Sequence, residues 1–396
     1  MRVLIVSHSS VVDVYQDKLR YIARTPGVEL TLLVPEDFNE GGRSVEAFHG
    51  HGGYDVIARP QRSLWKNRLN AFTFRGLASV FRTVKPDIVH IEEEPESLAT
   101  VQLIRHALRM KKRPLIVDFT WRNMEVPLVS MRKYDPRRAL YMLTQGMTLP
   151  HIDGIIAGSV ESEGYLRRLD YNGPVRVIPQ YGVATERYHP RNDRTAVREQ
   201  YGLGNGSDAD PFTIGFVGRV LKMKGLDVLI DAFAALDNHN TQLVILGSGD
   251  YVSNVRDRAD ALGLRERVHF ISGVPAAEVP PLLSAMDVVC VPSLTTDTWR
   301  EQFGRVIVEA MACGVPVIGS TSGEIPHVVG EAGLIAEEGN AAAWKDVLNR
   351  VMSDAALRDV MRASGLHHVA TNYTNERIAA QITDFYADLT AARKPE

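Results

Sequence analysis

The chain has 396 residues, 45% of them apolar and 23% charged, with a formal net charge of −3. That is too long for one ordinary core and has the composition of a soluble α/β protein, so two domains of under about two hundred residues each are expected. There is no apolar run of membrane-spanning length, the first residues enter a strand and not a signal-type segment, and Cys290 and Cys313 lie in apolar runs without zinc spacing; a cytosolic protein with buried thiols follows.

Residues 1–180 hold 25 Lys+Arg against 20 Asp+Glu, whereas residues 181–396 hold 20 against 28. A basic first half favours an anionic acceptor or a membrane surface carrying one, although scattered solvated arginines explain it more plainly. The densest groups, Arg109-Met-Lys-Lys-Arg113 and Arg132-Lys-Tyr-Asp-Pro-Arg-Arg138, lack the aromatic interleaving of a nucleic-acid binder.

Residues 2–7 form a continuous apolar run of strand length, which in an α/β chain is a central parallel strand buried on both faces. His8 and Ser9 stand at its carboxyl end, where α/β sheets bind ligands, and residues 14–23 continue as a helix. Strands are expected at 28–34 and, after Lys85-Pro86, at 87–91, separated by a Gly- and Arg-rich insertion (Gly41-Gly-Arg43, His49-Gly-His-Gly-Gly53). His49, His51 and His90 have no matching carboxylate or cysteine arrangement and read as solvated loops, not metal ligands. Glu92-Glu-Glu-Pro-Glu-Ser97 opens a helix over 98–110; Glu92 and Glu96 suit its dipole, while Glu93 or Glu94, at a strand's carboxyl end before a proline, are placed to grip ligand hydroxyls. Residues 114–123 repeat the pattern, a strand with polar and aromatic residues at its end, where Trp121 is either core packing or a stacking wall beside Asp118, Arg122 and Asn123. Strands at 153–159 and 175–180 end the first half.

After the polar, Gly-rich break 201–211, a strand over 212–219, ending in Gly218-Arg219, leads through Lys222-Met-Lys-Gly225 into a helix over 226–236. Two cations at a strand-to-helix turn, with glycines permitting close backbone approach, make a diphosphate cradle in which Arg219 binds bidentately and Lys224 as a point charge. Val252 replaces the third glycine of a dinucleotide fingerprint after Leu246-Gly-Ser-Gly, so nicotinamide binding is disfavoured. Glu301 and Glu309 flank an apolar run that reads as a helix ending at Gly314, followed by a short buried strand. Phe303 and Gly304 fall where loop becomes helix, and the unpaired N–H groups there suit an anion. In the tail, 375–391, Ile378, Ile382, Phe385 and Leu389 recur at mostly helical spacing.

Glu301-Gln-Phe-Gly-Arg-Val-Ile-Val-Glu309, with the Ala-Met-Ala-Cys-Gly-Val-Pro-Val that follows, resembles the Glu-(seven residues)-Glu motif of family 4 retaining glycosyltransferases. Gly218-Arg219 and Lys224-Gly225 resemble that family's phosphate-binding pair, and Tyr188-His-Pro190 its linker. The resemblance is dense from 212 to 326 and thinner before. It implies an α/β protein of two Rossmann-like domains facing across a cleft (GT-B): 1–185 for the acceptor, 186–374 for the donor, and a helix 375–396 crossing back to the first. It implies a sugar transferred with retention from a nucleotide diphosphate sugar, UDP- or GDP-linked rather than ADP-linked, to a hydroxyl acceptor that is lipid-linked or anionic. Arg219, Lys224 and the helix start at Phe303-Gly304 then neutralise the diphosphate without a metal or other cofactor. Gly273 and Val274 receive the base, Glu309 the ribose and Glu301 the donor sugar; Glu93, Glu94, Asp118, Trp121 and Asn123 meet the acceptor. The chain departs from the family in lacking a Gly-rich loop after the first strand and a histidine near Trp121, so no catalytic histidine is assigned. A GT-B epimerase or phosphorylase, and a silent sugar-nucleotide-binding protein, remain the rival readings.

Overall fold

The computed structural model describes residues 1–40, 43–46, 52–63, 71–124, 136–204, 210–238 and 240–393. Gly41, Gly42, His49, His51, the basic residues Arg132 and Lys133 and residues 205–209 of the break at 201–211 lie outside them. The chain divides into two units, Met1–Gly182 with Asn375–Glu396, and Val183–Thr374.

The first unit is built on seven parallel strands: β1 (Arg2–Val6), β2 (Glu29–Pro35), β5 (Asp55–Arg59), β8 (Ile88–Ile91), β9 (Leu115–Thr120), β10 (Gly154–Ala157) and β11 (Val175–Val177), ordered β5-β2-β1-β8-β9-β10-β11. Two small antiparallel pairs, β3 (Asp37–Glu40) with β4 (Arg43–Glu46) and β6 (Gln61–Ser63) with β7 (Phe72–Phe74), decorate it. Val3, Leu4, Ile5 and Val6 are wholly enclosed, as a strand covered on both faces requires. The strand order reverses between β1 and β8, so their carboxyl ends diverge into a crevice. Helices α1 (Asp17–Arg24), α2 (Leu77–Val84), α3 (Leu98–Leu108), α4 (Pro136–Thr148) and α5 (Val160–Arg168) cover the sheet. The helix expected at 14–23 is shorter, because residues 9–11 and 13–15 form tight 3₁₀ turns first.

The second unit carries a six-stranded parallel sheet of β12 (Phe212–Val217), β13 (Thr241–Leu246), β14 (Val268–Ile271), β15 (Val288–Val291), β16 (Val317–Ser320) and β17 (Leu334–Ala336), ordered β14-β13-β12-β15-β16-β17. Its reversal lies between β12 and β15. Around it lie α6 (Arg194–Gln200), α7 (Leu226–Ala234), α8 (Val252–Ala261), α9 (Val279–Ser284), α10 (Arg305–Ala312), α11 (Ile325–Val329), α12 (Ala341–Ser353) and α13 (Ala355–Asn372). Cys290 and Cys313 are free, buried thiols, and burial pushes Cys313 up to about 12.

The last helix, α14 (Asn375–Ala392), packs on the first unit, where Ile378, Ile382, Phe385 and Leu389 join one cluster with Val3, Ile5, Leu19, Val117 and Ile156. Gly154 makes room for it: a Cβ there would lie 2.7 Å from Leu389 and 2.8 Å from Phe385. The buried Tyr386 hydroxyl meets His90 Nδ1 at 2.6 Å, and burial pulls His90 down to about 4, so this ring is a neutral core group and not the solvated loop residue expected.

Candidate functional site

In the second unit the chemistry gathers where the strand order reverses. The turn after β12 holds Lys224, and the loop after β15 holds Ser293 and Glu301. Two close approaches bring them together. Gly225 (φ +70°) passes so near Pro292 that a Cβ would sit 1.9 Å from its carbonyl oxygen, and Leu294 N–H donates to the Met223 carbonyl at 2.8 Å. Gly323 (φ +54°) likewise lies against the Glu301 carbonyl, which accepts from Glu324 N–H at 3.0 Å. Three strand-end loops are thereby joined at backbone level.

Glu301 is buried, at 8% exposure, and its Oε2 accepts from Lys224 Nζ at 2.6 Å and Ser293 Oγ at 2.8 Å. The Lys224 ammonium also lies 4.8 Å from the Trp299 ring centroid, within cation–π range. Arg219 is exposed and, among the described residues, has no ion-pair partner. Gly304 is the N-cap of α10, in the left-handed region and with no side-chain cap, while Phe303 is buried against Tyr373. Glu309 lies on α10 beside Arg305, whose Nη2 donates to it at 3.1 Å; burial raises its carboxyl despite Arg305, Arg187 and Tyr188. Gly273 (φ +73°) and Val274 follow β14 at its carboxyl end. Lys224 and Glu301 are thus in direct contact, whereas Arg219 makes no ion pair with either glutamate.

In the first unit the carboxyl ends of β1, β8 and β9 carry a carboxylate cluster. Glu93 holds His8 twice, accepting from its backbone N–H at 2.9 Å and meeting Nδ1 at 2.6 Å. Burial pulls that imidazole down, but Glu93, Glu92 and Glu94 outweigh it and the net shift is upward. Glu92 pairs with the buried Lys18, and Glu96 with Arg122, so neither is the helix-dipole partner expected; Ser97 caps α3 instead. Glu94 accepts from Thr120 Oγ1 and Trp121 N–H, and burial, helped by Glu96, pushes it up to about 7.

The expectation for Asp118 is corrected. It lies inside β9, fully enclosed, with neither carboxylate oxygen hydrogen-bonded, and burial raises it well above the usual range; it faces no acceptor. Trp121 is a packing residue, its indole N–H donating to Gln180 Oε1 at 2.6 Å and its ring filling the space above Gly158. Asn123 is 7% exposed and donates to Glu161. The His8–Glu93 pair was missed because 85 residues separate its members; only their shared position at strand carboxyl ends hinted at it.

Two Rossmann-like units in one chain are the GT-B class of fold. Anabaena Alr3699/HepE in complex with UDP shares it with a TM-score of 0.74 at 20% identity over 98% of this chain and all of that one. Sucrose-phosphate synthase from Thermosynechococcus elongatus shares it with a TM-score of 0.70 at 21% identity over 99% and 100%. Residues 198–368, inside the second unit, match the family of glycosyl transferases group 1. The chain is 34% identical over 220 residues to a D-inositol 3-phosphate glycosyltransferase of Corynebacterium glutamicum (strain R), covering 53% of this chain and 51% of that protein. It is 31% identical over 220 residues to a GDP-mannose-dependent alpha-(1-6)-phosphatidylinositol monomannoside mannosyltransferase of Mycolicibacterium smegmatis, covering 54% and 56%. The chain therefore spans about half the length of the curated relatives it matches.

Proposed function

We propose that this chain is a glycosyltransferase that moves a sugar from a UDP- or GDP-linked donor to an acceptor hydroxyl, with retention at the anomeric carbon. The observation that carries it is the Lys224–Glu301–Ser293 contact at the strand-order reversal of the second unit, beside an uncapped helix start. Lys224, Arg219 and the first N–H groups of α10 take up the negative charge of the departing diphosphate, the role a metal ion fills elsewhere. Glu301, released from Lys224 as the phosphates draw the ammonium away, faces the sugar as positive charge develops on its ring. Glu309 receives the ribose hydroxyls, and Gly273 and Val274 the base.

The acceptor belongs to the crevice of the first unit, where His8, Glu93 and Glu94 stand; Asp118 is too deep and Trp121 and Asn123 serve packing. Relatives named for inositol phosphate and phosphatidylinositol mannoside acceptors favour a polyol carrying phosphate, free or lipid-linked. Among the described residues no helix is long and apolar enough to cross a membrane. The test is incubation with UDP- and GDP-sugars and a panel of inositol phosphates, with product anomeric configuration read by NMR. Transfer with retention supports the proposal; turnover of donor without acceptor to an epimer or a sugar phosphate overturns it.

A further inference from the structure

At the amino ends of β1 and β8 the first unit holds a groove of about 760 Å³ between α2 and α3. Its lining combines two chemistries. Exposed Ala78 and half-buried Met110 give it apolar surface beside the buried Phe81 and Pro86, and Phe81 is stacked by the His106 ring with centroids 5.6 Å apart. Around them stand Arg2, Arg82, Lys85, Arg109, Lys111 and Lys112, with Asp87 as the one carboxylate in the lining. Asp87 is already occupied, accepting from Arg2 N–H at 2.9 Å and Lys112 Nζ at 3.2 Å. Arg82, Lys85, Arg109 and Lys111 are exposed, and among the described residues none of them has a carboxylate partner. Cations in the last turn of a helix complement its dipole, which accounts for Arg82. It does not account for Lys85, Lys111 and Lys112, which lie past the helix ends, nor for the apolar surface of Ala78 and Met110 left open beside them.

We infer that this groove binds an anionic amphiphile, a phosphate or carboxylate head held by Arg82, Lys85 and Arg109 with its apolar body along Ala78 and Met110. The volume falls within the range of small-molecule sites, and cations beside apolar surface match a ligand of that two-part chemistry. The groove is separate from the crevice of the same unit. His8 and Glu93 follow β1 and β8, whereas Arg2 and Asp87 precede or begin them, and a five-residue strand is about 16 Å long. The inference therefore stands apart from the proposed transfer reaction.

The probe is dodecyl phosphate below its micellar concentration, titrated by calorimetry against the full chain and against Arg82→Gln/Lys85→Gln/Arg109→Gln, with dodecyl maltoside and inorganic phosphate as controls. Binding of dodecyl phosphate at least tenfold tighter than either control, weakened tenfold or more in the triple variant, is expected. Met110→Asp, which spoils the apolar surface without touching the cations, should weaken it too. Vesicles with and without phosphatidylglycerol separate the sources: co-sedimentation on anionic vesicles alone, lost in the triple variant, assigns a bilayer lipid, and its absence assigns a soluble amphiphile. No dodecyl phosphate binding, or equal binding by the triple variant at an unchanged melting temperature, overturns the inference. Equal binding of inorganic phosphate or of dodecyl maltoside overturns it as well.

Discussion

Lys224 has one ammonium and, in this structure, two neighbours that hold it: the Glu301 carboxylate at 2.6 Å and the Trp299 ring. A donor diphosphate competes with both, so the lysine's value to the reaction is the difference between phosphate and carboxylate as partners. Lys224→Ala is expected to lower kcat/KM about a hundredfold or more, the cost of removing a charge-stabilising donor. A near-normal rate in the folded variant removes it from the reaction. The two glutamates should fail differently. Glu309→Gln loses a ribose contact made equally in ground and transition states, and is expected to raise donor KM more than it lowers kcat. Glu301→Gln is expected to act mainly on kcat; if both variants show the same KM effect with unchanged kcat, Glu301 is a ground-state ligand only. Asp118 makes a further prediction, about stability. Its carboxyl and that of Glu94 are raised in the folded chain, so folded protein keeps protons that unfolded protein gives up above about pH 4, and stability falls as pH rises from there, the Glu94 share of the loss ending at about 7. Asp118→Asn removes one such group. Its melting temperature should exceed the wild type's at pH 8 and converge with it toward pH 5; parallel curves refute this.

At the scale of elements, what was legible follows from local physics. Strands β1, β12 and β13 announce themselves as apolar runs because both their faces are covered, and α10 is bounded by Gly304 and Gly314, each at positive φ. The Glu-(seven residues)-Glu spacing is local, so both glutamates could be named in advance. What was not legible joins distant segments. Lys18 and Glu92 are 74 residues apart, Lys224 and Glu301 are 77 apart, and nothing in either stretch names the other. Asp118 misled because a carboxylate near a strand end resembles one beyond it, and one residue of register decides between core and crevice. Likewise, apolar spacing in the tail reveals a face to bury without saying where. The partner is seen only in contacts such as Tyr386 with His90. Tyr386→Phe leaves that buried ring with neither nitrogen hydrogen-bonded, since Nε2 already has no partner, and is expected to cost about 1–3 kcal/mol in chemical denaturation. An unchanged midpoint would show the pair to be incidental.

For the whole molecule, the proposed reaction relies on cations and a helix start and not on an ion. Among the described residues, no cluster of three or more His, Cys, Asp or Glu is arranged to hold a metal. Transfer is expected to persist in EDTA; loss restored by Mg²⁺ or Mn²⁺ would refute it.

The second unit is one uninterrupted stretch, Val183–Thr374, but the first is completed by α14 from beyond it. During synthesis, then, the usual order of domain folding is inverted. The sheet that emerges first must wait, with the surface destined for Ile378, Phe385 and Leu389 still bare, until the whole of the other unit has been translated. A nascent chain stalled anywhere before residue 375 should therefore be a chaperone client in its first half even when its second half is already native.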